Sequence, residues 1–183
     1  MDYSFKKFQK DAISRLLSFE KYEYIINNLN SCNVSSDQNF QKNFTAFYVV
    51  RRNEEWRKEF YSYFEKAKKN KYITFGEILK ELKKRTGFFE ASFSSKLLST
   101  INPDMPIWDQ FVLKELKVKI NKHGDRTENI IKAYEEIIHK EKELLKRNDV
   151  KESIKQFRKL FPEYSFSDIK ILDYIIWNNN RNA

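Results

Sequence analysis

The sequence predicts an all-α protein, a compact bundle of about eight to ten helices, and three observations carry that expectation. Glycine and proline number only three each in 183 residues. A β-sandwich or barrel needs many tight turns and a phosphate loop needs closely spaced glycines, whereas Gly76, Gly87 and Gly124 are few and scattered. Apolar residues recur at helical spacing through most of the chain. Hydrophobic residues make up 40% and aromatic residues 16%, which excludes a disordered chain. The length fits one helical domain over residues 1–183, or two lobes of it: about 1–72 with the C-terminal helices, and about 73–122.

The elements follow in order. Over residues 5–18, Phe5, Phe8, Ala12 and Leu16 share one helical face. Tyr22 to Leu29 reads as a second short helix, and the Asn- and Ser-rich stretch Asn27 to Asn39 as the longest loop. Phe40, Phe44, Phe47 and Tyr48 lie at helical spacing over residues 40–50. Trp56, Phe60, Tyr63, Phe64 and Ala67 form a clean stripe over 54–69. The next helix has the clearest ends: Thr74 and Glu77 make a capping box, Lys83, Lys84 and Arg85 crowd the last turn, and Gly87 suits a left-handed cap. A helix from about Ser92 to Ile101 must stop at Asn102-Pro103, because the residue before proline avoids helical torsions. Pro106 suits the first turn of a helix running through about Lys119. Residues 125–148 form a long amphipathic helix with Ile130, Tyr134, Ile137 and Leu144 at heptad-like spacing, interrupted at Glu141. Val150 to Phe161 is a further helix stopped by Pro162. The last, about Ser167 to Asn178, is apolar over most of its circumference, which suggests burial.

Charge and cysteine narrow the function classes. The formal net charge is +9, and residues 1–100 hold 19 basic and 12 acidic side chains. A basic balance suits nucleic acid, an acidic protein or an anionic surface. The single Cys32 excludes an internal disulfide framework, which fits a cytoplasmic protein. One Cys and two His leave no structural zinc site, and no metal or other cofactor is expected. No apolar run approaches the roughly twenty residues of a membrane span, so no membrane association is expected. Met1 to Ser4 continue into an amphipathic charged segment, so no signal peptide is expected.

Two features could carry chemistry. Lys66 to Arg85 contains eight basic and two acidic residues, a stretch that can neutralise phosphates or simply form a solvated helix face. Asp109 shares a helical face with Val112, Leu113 and Leu116. A carboxylate there can act as a general base or stabilise a developing cation, or it can cap a helix or pair with a buried Arg. Asp173, which interrupts the apolar last helix, calls for a buried partner such as an Arg. Arg51 and Arg52 can meet buried acids or phosphate.

The segment Ser94 to Pro103, followed by Met105-Pro106-Ile107-Trp108-Asp109-Gln110-Phe111-Val112, resembles the helix-hairpin-helix DNA glycosylases. In that superfamily a helix leaves the hairpin, a short loop follows, and a catalytic aspartate opens the next helix. The segment resembles still more closely a loose set of uncharacterised bacterial relatives with an Asn-Pro…Pro-Ile-Trp-Asp signature and a last helix like Ile169 to Trp177. The resemblance covers about residues 74–120 and the last helix. It implies DNA as partner and hydrolysis of an N-glycosidic bond. Asp109 would be the catalytic residue, stabilising the sugar cation or activating water as a flipped base leaves. Lys83, Lys84, Arg85, Gly87 and Lys96 would hold phosphates. Trp108, or Phe88 and Phe89, would stack on a base or wedge the gap.

The sequence also departs from the family. The family hairpin is typically L-P-G-x-G, whereas Thr86 to Ser92 keeps only Gly87, and Glu90 would oppose phosphate. The position of the Schiff-base lysine falls near Ala91 or Ser92, neither of which forms an imine, so no lyase activity is expected. No four-cysteine cluster for an iron–sulfur centre is present. The alternative is a non-catalytic module of the same fold that binds nucleic acid or an acidic protein, such as a defence or mobile-element protein.

Overall fold

The computed structural model describes residues 18–181, and every regular element among them is helical. The nine helices are α1 (Phe19–Asn28), α2 (Gln38–Phe47), α3 (Glu54–Ala67), α4 (Phe75–Thr86), α5 (Ala91–Ile101), α6 (Gln110–Glu115), α7 (Arg126–Lys146), α8 (Asn148–Leu160) and α9 (Asp168–Arg181). The helix expected at residues 5–18 lies outside the described residues. The fold divides at Asn102–Pro103 into two compact units.

In the first unit α1 packs on α2, α3 on α4, and α4 on α5. Its core is aromatic. Phe44 meets Phe60, Tyr61 and Phe64 with ring centroids 5.6, 5.9 and 5.5 Å apart, the last two edge-on. Such offset and edge-on contacts add to the gain from burying the rings. The link after α1 is held from inside: Lys68 Nζ donates to the carbonyls of Leu29 (3.0 Å) and Cys32 (2.5 Å) and pairs with Glu65. The capping box forms as expected, with Thr74 Oγ1 accepting from the Glu77 amide and Glu77 Oε2 accepting from the Thr74 amide. Gly87 ends α4 at φ 78°, its amide bonded to the Lys83 carbonyl at 2.9 Å.

In the second unit α9 packs on α6, α7 and α8, and α7 packs on α8. Ile171, Leu172, Ile175 and Ile176 of α9 are all fully buried, as its composition suggests. The helix expected from Pro106 to about Lys119 is shorter: it begins at Gln110 and ends at Glu115. The turn before it is fixed by other partners. Tyr134 Oη donates to the Pro106 carbonyl at 2.7 Å, and Ser167 Oγ donates to the Pro103 carbonyl at 2.6 Å. Beyond Leu116, Lys117 takes φ 52° and turns the chain away. The longest link among the described residues is therefore 116–125 rather than the Asn-rich stretch, whose central part runs from 29 to 37.

Candidate functional site

The helix α4, the turn after it and helix α5 carry most of the basic residues singled out above. Lys83 Nζ donates to the Gly87 carbonyl and lies 4.6 Å from the Phe89 ring centre, so it closes the end of its own helix. Arg85 is engaged on both sides: Nε donates to Glu81 at 2.7 Å and Nη1 to Glu59 at 3.2 Å, with the guanidinium over Tyr63. Lys84 is exposed and makes no ion pair. The Gly87 amide is taken by Lys83, and the Phe88 amide donates to Thr86 Oγ1 at 3.3 Å. Two amides of the turn thus serve the helix end itself.

Glu90 is buried and occupied. Oε1 accepts from Trp56 Nε1 and Oε2 from Arg52 Nη2, both at 2.9 Å. The Arg52 guanidinium lies over the rings of Trp56 and Phe93. Arg52 therefore meets a buried acid, one of the two roles its sequence position allowed. Lys96 Nζ donates to the Tyr48 carbonyl at 3.4 Å and lies 5.0 Å from the Phe93 ring centre.

What remains outward on α4 is compact. Lys80 and Lys84 are one helical turn apart, exposed, and free of ion pairs. The carboxylate of the neighbouring Glu77 accepts from the Thr74 hydroxyl and amide, which lower its pKa, and makes no ion pair with either lysine. Among the described residues two aromatic rings are largely exposed, Tyr72 at 79% and Phe88 at 62%. They stand immediately before and after α4. Phe88 was legible as a stacking candidate; Tyr72 and Lys80 carried no separate signal beyond the charge of the stretch.

In the second unit Asp109 is half-buried and is the N-cap of α6, its Oδ1 accepting from the Phe111 amide at 2.8 Å. Oδ2 makes no hydrogen bond. Trp108 is 7% exposed and packs into the core. Beneath this turn lies a group that the sequence showed only as interruptions of two apolar stripes. Glu141 and Asp173 are both buried, and no hydrogen bond reaches any of their four carboxyl oxygens. The partner of Asp173 is Lys170, with Nζ 3.9 Å from Oδ2, rather than an arginine. Burial pushes the Asp173 carboxyl up to about 7, against the pull of Lys170 and of the nearby Ile107 amide, while the Asp109 charge adds to the rise. Burial also raises Glu141 well above the usual carboxylate range, reinforced by Asp173 and opposed by Lys170.

Among the described residues no cluster of His, Cys, Asp and Glu is suited to a metal ion, and no helix is long and apolar enough to cross a membrane. Comparison of the chain with protein-family models, with curated proteins and with solved structures finds no match.

Proposed function

We propose that the protein binds DNA along the outer face of α4, and that it prefers strands with unpaired bases. One observation carries this reading: Lys80 and Lys84 are exposed and unpaired on a helix flanked by the exposed rings of Tyr72 and Phe88. Lysines along a short track neutralise successive phosphates, while exposed rings give bases a sequence-tolerant stacking surface. With Lys83, Arg85 and the Gly87 amide used internally, Lys80 and Lys84 are the cations of α4 that a polyanion can reach without breaking a bond among the described residues.

The test is fluorescence anisotropy of labelled single-stranded and duplex oligonucleotides over a salt series. The Lys80→Gln/Lys84→Gln variant should reduce the log–log salt slope by roughly 1.4, the share of two single-strand phosphates. The Tyr72→Ala/Phe88→Ala variant should weaken binding by about 2–6 kcal/mol for two stacked bases, with the slope unchanged. Absence of salt-sensitive binding to either nucleic acid would overturn the proposal.

A second reading, hydrolysis of an N-glycosidic bond, is favoured by the placement of Asp109. Its carboxylate is oriented by the Phe111 amide at the opening of α6, with Oδ2 left without a hydrogen bond. An oriented carboxylate of this kind can stabilise a sugar cation or activate water. Base release from a panel of damaged and modified oligonucleotides, abolished by Asp109→Asn, would support it. Binding without release would leave the protein a binding module.

A further inference from the structure

The turn from Pro103 to Asp109 rests on α7 and α9, and the buried acid Asp173 lies beside it. Tyr134 of α7 holds the Pro106 carbonyl, Ser167 at the start of α9 holds the Pro103 carbonyl, and Asp173 faces the Ile107 amide. Burial raises the pKa of the Tyr134 hydroxyl that holds the turn, and the charges of Glu141 and Asp173 add to the rise.

The charges of this cluster do not balance. Lys170 is 2% exposed and is the one buried ammonium set against two buried carboxyl groups. Among the described residues the other faces supply no second cation. On α6, Asp109 is a further acid, and Glu115 is engaged by Asn180. On α7, Lys140 is turned to the Leu116 carbonyl and Glu136, and His139 is exposed. On α8 the buried positions are Val150, Ser153, Ile154 and Phe157, none of which titrates. On α9, the Tyr174 ring lies against Lys170. With both acids ionised, one negative charge would be sealed in the core beyond what Lys170 balances, and the Ile107 amide near Asp173 offsets it only in part. Burial of that kind is strongly unfavourable, and a carboxyl group responds by retaining its proton.

We propose that Glu141, Asp173 and Lys170 form a buried proton-binding site whose occupancy sets how firmly the Pro103–Asp109 turn is seated on α7 and α9. With the proton bound, the cluster is neutral and the turn is closed down over it. When the proton leaves, the uncompensated charge favours opening of the turn, which admits water to the acids. The sign follows from linkage. Both carboxyl groups hold their protons to higher pH in the folded chain than in the unfolded chain. The stability they contribute is full below the ordinary carboxylate range and is lost as pH rises toward and through about 7 for Asp173. The device is independent of which ligand the protein binds.

Two measurements on the full chain test it. In a carbon-13 titration of side-chain carboxyl groups, Glu141 should titrate well above the range of an ordinary glutamate. Titration of Glu141 in the ordinary range would overturn the proposal without any substitution. In hydrogen exchange, corrected for the intrinsic pH dependence, amides of residues 103–109 should lose protection between about pH 5.5 and pH 8 by up to one proton's linkage, tenfold per pH unit. Glu141→Gln should flatten that dependence and retain protection at the higher pH. An unchanged pH dependence in a folded Glu141→Gln variant, or equal corrected protection of the native turn at both pH values, would also overturn it.

Discussion

Glu90 provides the sharpest test of how the first unit is held together. It connects two side chains distant in sequence, Trp56 through Oε1 and Arg52 through Oε2, and the Arg52 guanidinium is in turn stacked over the ring of nearby Phe93. Glu90→Ala strands the Trp56 indole N–H in a residue only 7% exposed, which costs about 1–3 kcal/mol. It also releases Arg52 from its partner. The Arg52 side chain is 40% exposed, so that loss is discounted to about 0.5–1 kcal/mol. The expected total is about 2–4 kcal/mol, measured by urea denaturation with both tryptophan fluorescence and circular dichroism. Glu90→Gln keeps a carbonyl oxygen for Trp56 and removes only the charge, so it should cost about 1 kcal/mol. A double-mutant cycle with Arg52→Ala isolates the ion pair from the indole bond. If Glu90→Ala costs less than about 0.5 kcal/mol, or no more than Glu90→Gln, the acceptor role for Trp56 is refuted.

Two further substitutions probe the backbone. Gly87→Ala places a side chain at φ 78°, where an added Cβ meets nothing within 4 Å, so the cost is conformational alone: about 1–2 kcal/mol in chemical denaturation, with the asparagine variant intermediate. Val49 is β-branched, 58% exposed and held at φ 51°. Val49→Gly should be neutral or stabilising by up to about 1 kcal/mol, because relief of left-handed strain outweighs the entropy of glycine; a clear loss of stability would contradict the strain.

The helical architecture was legible because its signals are local. Thr74 and Glu77 are three residues apart, and Gly87 directly follows the helix that it ends, so neither needs knowledge of the fold. The error at α6 has the opposite origin. Pro106 is compatible with a first helical turn, but its carbonyl is taken by Tyr134, 28 residues away, and the Pro103 carbonyl by Ser167, 64 residues away. No periodicity within residues 106–119 encodes those bonds. Asp109 shifted role for the same reason: once the helix starts at Gln110, its carboxylate caps the helix instead of lying along its apolar face. Glu141 and Asp173 show an intermediate case. Each was visible as a charged residue on an apolar stripe, but only tertiary packing shows that the two interruptions belong to one another and share Lys170.

The basic segment shows why counted charge is a poor measure of charge available to a ligand. Of the eight cations from Lys66 to Arg85, Lys68 is spent on two carbonyls and Glu65, Lys83 on the Gly87 carbonyl, and Arg85 on two glutamates. A phosphate could recruit those three only by breaking bonds that hold the end of α4, the link after α1 and the packing of α3 on α4. Lys80 and Lys84 need break none. Binding through the whole segment would therefore be weaker than its charge count implies, because those bonds are lost from the binding energy. Binding through the outer face of α4 would leave that unit intact or stabilise it by simple mass action. The log–log salt slope thus separates the two routes, roughly 1.4 for the two lysines of the outer face against roughly 5.6 for all eight cations of the segment.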